Sequence, residues 1–494
     1  MQNHILSKST YIRGLKCAKS LYLNKHKKHL RDELSPMQKA IFNQGNLVGE
    51  LAQKLFPKGV DCTSQTFYNF NDALLKTKKA IEDNVNVIYE AAFQHNGVLA
   101  ILDILVKDKQ GWKAYEVKSG TSISNTYIKD AAVQSYVIEN CQLKLEDFFI
   151  VHINNKYIRK EKLELDKLFT ITSVNEKIKQ LTNEVPENIA KQKAILEKTK
   201  APEIKIGPHC TAPYTCDFMG NCWKEIPEYS IFDVSNLNQD KKFELFNSGT
   251  TLISEIPEKF PLSKNQSIQV SCEKNQGEII AKDQLNLFLA ELSYPLYFLD
   301  FETFSSAVPI FKDSKPYQQI VFQYSLHIQE KEDEAPRHYE YLAKSEKTDP
   351  RKNFAKSLVN HCKGNGSIVV YNKSFESSVI RQLAKLFPEY NTELLQINKR
   401  IKDLMIPFQK KWYYNYKMKG SYSIKAVLPA MINELSYENL PIKDGGIASH
   451  TFAQMINGSF EGDKEKAREN LLAYCKLDTL AMVEILNKLK VLAL

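Results

Sequence analysis

Two sets of acidic residues lie on apolar runs at spacings that could hold divalent cations. Asp103, Glu116 and Lys118 fall in GVLAILDILVKDKQGWKAYEVKSG, and Asp300 and Glu302 fall in YPLYFLDFETF. Side chains at i and i+2 of a strand share a face, so Glu116 and Lys118 project together, as do Asp300 and Glu302. Burying an unpaired carboxylate is costly, and two close carboxylates repel unless one protonates or a cation binds. A divalent cation removes both problems, and its commonest use at such a site is phosphodiester chemistry. In the first set, Asp103 and Glu116 would hold Mg²⁺ or Mn²⁺. Lys118 would position the attacking water and offset phosphate charge. Gln134 and Tyr136, on the following helix, would orient the substrate or the lysine. The second set gains Glu376 in YNKSFE, just after a strand. It also gains Tyr474 and Asp478, four apart on one helix face in YCKLDTLAMVEIL.

The elements that must position these groups follow from hydrophobic periodicity. Residues 36–56 have helical spacing, and 86–93, 97–106 and 112–118 read as a strand meander. A helix over 125–140, a strand at 148–153 and a long Lys/Glu-rich helical stretch over 163–199 come next. Residues 226–290 lack strong periodicity and read as a mostly helical connector. From Leu296 the pattern changes to strands at YFLDF, QQIVFQYSLHI, HYEYLA and SIVVYN, with helices at about 350–362 and at FESSVIRQLAKLF, and a last helix over roughly 464–490. This order predicts an α/β fold with a mixed sheet in the C-terminal part. The expected domains are 1–225, a connector at 226–290, and 291–494. A chain of 494 residues is too long for one core.

The net charge of +9 is moderate. Residues 1–30, however, carry Lys8, Arg13, Lys16, Lys19, Lys25, Lys27 and Lys28 and no acid. Such a stretch can meet phosphates or form a solvated basic face. No run of about 18 apolar residues is present, so no membrane span is expected, and the N-terminus lacks the apolar core of a signal peptide. A cytosolic protein is therefore expected, in which the nine cysteines are core thiols or metal ligands.

Cys210, Cys216 and Cys222 fall within HCTAPYTCDFMGNCW, and Cys17 lies far upstream in YIRGLKCAKSLYL. With the D…E-x-K set between them, this arrangement resembles the iron–sulfur RecB-like nucleases of the PD-(D/E)XK superfamily, over about residues 5–225. The resemblance implies a restriction-endonuclease-like fold with Asp103, Glu116 and Lys118 catalytic and Gln134 in the family's helix motif. It also implies a [4Fe–4S] cluster on the four cysteines. Four thiolates fit zinc equally well on ligand count, and His209 could complete a zinc site. The spacing C-x5-C-x5-C is wider than usual for those relatives, and the family's early histidine is missing; Glu50 or Glu90 would supply the extra ligand. Cys62, Cys141, Cys272, Cys362 and Cys475 read as core thiols.

The order D-x-E, N-x-x-x-acid, Y-x-x-x-D resembles the DnaQ-like DEDDy 3′–5′ exonucleases with an RNase H-like fold, over about residues 294–490. The resemblance implies Asp300, Glu302, Glu376 and Asp478 as ligands of two metal ions and Tyr474 as the residue that orients the nucleophilic water. Glu376 stands where that family has Asp, and Asp403 is the alternative ligand. Between these motifs, Lys410, Lys411, Lys417 and Lys419 alternate with Phe408, Trp412, Tyr413, Tyr414, Tyr416 and Tyr422. Lysines could follow phosphates while rings stack on bases, or the rings could be core. The whole chain resembles an uncharacterised bacterial family that fuses the two modules. That resemblance implies a metal-dependent nuclease acting on DNA, with RNA as a second substrate, in repair or defence, and with a helicase as a candidate partner. The rival expectation is a nucleic-acid-binding scaffold with a structural cysteine–metal site and at most one active module.

Overall fold

The computed structural model describes residues 4–64, 70–432 and 434–494. The chain divides into two compact units, residues 1–225 with 306–318, and 226–305 with 319–494. Each is a mixed α/β assembly around its own sheet.

The first unit has seven strands: β1 (Leu6–Ser7), β2 (Val60–Asp61), β3 (Val87–His95), β4 (Val98–Lys107), β5 (Trp112–Lys118), β6 (Leu145–Ile153) and β7 (Phe169–Ser173). They run in the order β2-β3-β4-β5-β6-β7, with β1 against β4. Asn96 and Gly97, both at positive φ, close the tight turn between β3 and β4. β5 and β6 are parallel and need a crossover, supplied by the helix Asn125–Asn140. That helix buries Ala131, Val133 and Val137 against Leu102 and Ile150 of the sheet.

Residues 163–199 do not form the one long helix expected from their Lys/Glu content. They break into the short turn Leu165–Leu168, strand β7, and the helices Asn175–Thr182 and Val185–Leu196. The β-branched run FTITS pairs antiparallel with β6, and that pairing outweighs local helical propensity. Residues 306–318 pack with this unit, Ala307 and Val308 joining a cluster with Val48, Tyr157 and Phe169.

The second unit contains β8 (Glu278–Ile280), β9 (Leu296–Phe304), β10 (Ile320–Gln329), β11 (Arg337–Leu342), β12 (Ile368–Val370), β13 (Ile401–Asp403) and β14 (Tyr413–Asn415). Five of them form a sheet in the order β11-β10-β9-β12-β13. β9, β10 and β11 are an antiparallel meander, while β12 is parallel to β9 and to β13. The C-terminal helix, Lys464–Ala493, lies against β9 and β10. Gln323 of β10 donates to Leu471 O at 2.8 Å, and Thr479 shares hydrogen bonds with Ser325 and His327. Residues 226–290 form a small apolar cluster around Ile231, Val234 and Ile253. Their strand β8 pairs with β14, so they pack as part of the second unit.

Candidate metal centres

The N-terminal cluster sits where two strands part. β5 pairs with β4 only from Ile104 to Lys107, whereas β1 pairs with Val98 and Leu99 further along β4. Beyond Tyr115, β5 keeps only its β6 partner, so Glu116 and Lys118 diverge from β4 next to Asp103. Asp103 Oδ2 accepts from Val117 N at 2.6 Å and bridges the fork. Lys118 Nζ donates at 2.7 Å to both Glu116 Oε1 and Asp130 Oδ2. Gln134, fully buried, donates to Glu116 Oε2 at 3.0 Å. Asp103, Glu116, Lys118 and Gln134 therefore meet.

Two residues join them that sequence reasoning missed. Asp130 lies one helical turn before Gln134 and holds Lys118. Lys8 reaches Glu116 Oε1 at 2.7 Å from the helix Lys8–Lys16. Asp130 was legible as an i, i+4 partner of Gln134, but nothing local pointed to Lys8. Burial alone would raise the Glu116 carboxyl, but Lys118 and Lys8 outweigh it and hold the group down to about 2. Asp103 is pushed up to about 6 by burial and by the charge of Glu116. Glu90, at positive φ within β3, is pushed up to about 7 by burial and by Asp103. Glu90 lies opposite Asp103 in the register of β3 and β4, between the pairs Tyr89–Ile104 and Ala91–Leu102, whereas Glu50 is exposed on the helix Pro36–Gln53. The Tyr136 ring packs edge-on to His95.

Cys17, Cys210, Cys216 and Cys222 line one cavity together with His209 and Lys19. Cys17 Sγ accepts from Ser20 N at 3.5 Å, and Ser20 Oγ lies 3.6 Å from Cys216 Sγ, so sulfurs from opposite ends of the unit meet on one serine. Cys216 N donates to Cys210 O at 2.8 Å, which folds the cysteine loop on itself. No three of these sulfurs come within 4.8 Å of one another. The donor set suits soft metal chemistry. Among the other cysteines, Cys62, Cys272, Cys362 and Cys475 are buried as expected of core thiols, but Cys141 is exposed.

In the second unit, Asp300, Glu302 and Asp478 each offer a carboxylate oxygen within 4.8 Å of the others. Asp300 and Glu302 lie on β9 past its last contact with β12, which ends at Phe298. The site thus opens at the carboxyl ends of two parallel strands. Asp478 comes from the C-terminal helix, with Tyr474 one turn earlier on the same face. Glu376 stands in the first turn of the helix Lys373–Leu386 that follows β12, nearly fully buried, its Oε2 without a hydrogen-bond partner among the described residues. Asp403 is committed elsewhere: its carboxylate accepts from Asn372 N, Lys373 N and Met405 N at 3.0–3.1 Å and caps that helix. Of the two acids, Glu376 is the one with a buried carboxylate oxygen that lacks a hydrogen-bond partner among the described residues.

Burial and the neighbouring Asp478 raise the Asp300 carboxyl well above its ordinary range. Burial, Asp300 and Asp478 do the same to Glu302, and burial and Asp300 to Glu376. Asp478 rises only to about 6, because Tyr437, Lys425 and Tyr474 counter the effect of burial. Tyr437 donates to Asp478 Oδ1 at 2.7 Å. Lys425 lies 5.1 Å from the Tyr474 ring and 5.4 Å from that of Tyr437. Tyr437 falls within no motif, which is why sequence reasoning passed over it. The N-terminal end of the helix Gly445–Asn457 closes the site: a Cβ on Gly445 would lie 3.5 Å from Glu302 Oε2 and 3.9 Å from the Tyr474 hydroxyl.

The lysine-rich segment is only partly a surface. Lys410, Lys417 and Lys419 are exposed. Lys411 is buried, its ammonium 3.7 Å from the Tyr414 ring centroid, so it is not available to a phosphate. Tyr413 and Tyr414 are buried too, because β14 pairs with β8 and takes these rings into the core, and Phe408 is buried on the short helix Ile406–Gln409.

Comparison with known proteins places one family model on this geometry. Residues 297–423 match a domain of unknown function, DUF2779. The match covers Asp300, Glu302 and Glu376 and stops before Tyr474 and Asp478. The chain is 28 % identical over 268 residues to the uncharacterized protein MG366 of Mycoplasma genitalium, covering 50 % of this chain and 38 % of that protein. It is 28 % identical over 235 residues to the uncharacterized protein UU173 of Ureaplasma parvum, covering 43 % and 33 %. A shorter similarity, 25 % over 123 residues, relates 25 % of this chain to 18 % of the uncharacterized ATP-dependent helicase MJ0104 of Methanocaldococcus jannaschii. The chain spans about a third of the length of the Mycoplasma and Ureaplasma relatives. No helix among the described residues is long and apolar enough to cross a membrane.

Proposed function

We propose that this chain is a metal-dependent nuclease with two hydrolytic sites, an RNase H-like module of DnaQ type in the second unit and a RecB-like PD-(D/E)XK module in the first. The observation that carries the reading is the convergence of Asp300, Glu302 and Asp478 within 4.8 Å. Three carboxylates brought from a strand and a distant helix, with the buried Glu376, whose Oε2 has no hydrogen-bond partner among the described residues, form a donor set that a hard divalent cation satisfies. Bound there, a pair of Mg²⁺ or Mn²⁺ ions would stabilise the attacking and leaving oxygens of an in-line displacement at phosphorus.

The residues do the rest. Asp300, Glu302, Glu376 and Asp478 hold the ions. Tyr437 fixes the orientation of Asp478, and the Tyr474 hydroxyl, beside Glu302, orients the water. Lys425 supplies the positive charge nearest the tyrosines. In the first unit Asp103 and Glu116 are the metal ligands, Glu90 is the third acid, and Lys118, held by Asp130, faces the phosphate. The four cysteines hold a [4Fe–4S] cluster, with zinc as the alternative that four thiolates fit on ligand count. DNA is the proposed substrate and RNA the alternative, with Lys410, Lys417 and Lys419 as phosphate contacts. The helicase-named relative supports a setting in nucleic-acid processing, such as repair or defence, inside the cell.

The test is cleavage of end-labelled single-stranded DNA and RNA with Mg²⁺ or Mn²⁺ by anaerobically purified protein. Lys118→Ala and Asp300→Ala should each remove a distinct product pattern, and the double variant should cut nothing. A double variant that cuts as well as the wild type would sink the proposal.

A further inference from the structure

Lys8 and Lys118 both place their ammonium groups 2.7 Å from one oxygen, Glu116 Oε1. The two lysines are not equivalent. Lys118 is also held by Asp130, whereas Lys8 has Glu116 as its ion-pair partner. A divalent cation that takes Glu116 through Oε1 must displace at least one ammonium, because two charged donors already crowd that oxygen. Lys8 has the fewer ties and is the group that gives way.

The place of Lys8 is set from both ends of its helix. Upstream, Leu6 and Ser7 pair with Val98 and Leu99 in the fork beside Asp103, and Ser7 Oγ caps the helix by accepting from Thr10 N at 3.2 Å. Downstream the helix ends at Cys17, whose sulfur lines the cysteine cavity. Midway, Arg13 makes a two-pronged pair with Asp217 of the cysteine loop, at 2.5 and 2.9 Å. Nine helical residues span about 13.5 Å, so one short rigid rod joins the two sites.

We propose that Lys8 is a positioning residue of the N-terminal acidic site, competing with the metal for Glu116, and that the helix Lys8–Lys16 sets its place from the cysteine cavity. This rests on the reading of Asp103 and Glu116 as metal ligands and deepens it. The cysteine site thereby controls whether the second ammonium reaches Glu116.

Two measurements test it, neither of which is activity. The first is Mn²⁺ binding followed by electron paramagnetic resonance, in an Asp300→Ala background that silences the other site. Lys8→Met should tighten binding by about tenfold, a difference of about 1.4 kcal/mol, and Lys8→Arg should leave it unchanged. Equal affinity with and without Lys8 overturns the proposal but spares the metal reading; no Mn²⁺ binding in any variant overturns both. The second is acylation of lysine amines followed by mass spectrometry. Cys17→Ser should raise Lys8 labelling by about tenfold while Lys118 stays protected. Lys8 remaining protected, or both lysines becoming reactive together, overturns the link through the helix.

Discussion

Replacing Asp300 by Asn tests the acidic centre of the second unit without assuming any reaction. Two full charges at the 4.8 Å limit of that cluster repel by about 3.5 kcal/mol at an effective dielectric of 20. A proton held on the cluster lowers this cost in the metal-free protein, the direction in which burial and the neighbouring acids push Asp300 and Glu302. At pH 8 the residual strain relieved by the substitution is therefore smaller, roughly 1–2 kcal/mol. Asn keeps the size of Asp and an acceptor for the Cys475 thiol, 3.6 Å away. In EDTA the variant should melt higher than wild type by roughly 2–4 °C per kcal/mol. Saturating Mn²⁺ at 100 times its dissociation constant should stabilise the wild type by about 2.7 kcal/mol, and the variant should lose that part of the shift. Metal bound elsewhere cancels in the comparison. Thermal unfolding monitored by circular dichroism is the assay. An Asp300→Asn protein that melts lower in EDTA, or keeps the full Mn²⁺ shift, would refute the argument that these carboxylates form one cation site.

Other substitutions probe the surroundings of that centre. Tyr437→Phe removes the donor to Asp478 Oδ1, a charge-assisted hydrogen bond of about 1.5–3 kcal/mol. In a Lys118→Ala background, which leaves only the second site, cleavage should fall by roughly 10–100-fold with unchanged circular dichroism, and full activity would remove Tyr437 from the site. His327 is buried and held down to about 4 by desolvation and by His338. The unfolded chain takes up its proton first, so this residue contributes stability above pH 6.5 that is lost as pH falls toward 4. His327→Gln should flatten the urea midpoint across that window relative to wild type, and parallel profiles would contradict the assignment. At Gly366, a Cβ would lie 1.7 Å from Pro295 O. Gly366→Ala should therefore cost about 3 kcal/mol or more in chemical denaturation, because β12 could no longer approach β9; a neutral result would refute that packing.

The acids on single elements were legible because their geometry is local. Asp300 and Glu302 share a strand face by a period of two, Tyr474 and Asp478 share a helix face by a period near four, and Glu116 and Lys118 share a face of β5. The structure also keeps the predicted order of strands around them. Local pattern does not determine which distant groups come to meet those faces. Asp403 reads as well as Glu376 along the chain, yet backbone amides at a helix start consume its carboxylate. Lys411 reads as well as Lys410, yet pairing of β14 with β8 buries it. Lys8 reads as part of a basic tail, yet β1 enters the fork between β4 and β5 and carries it 108 residues along the chain to Glu116. Periodicity along the chain reports the side on which a residue projects; long-range strand pairing and burial decide what it faces, because those energies depend on partners that are absent from the local sequence.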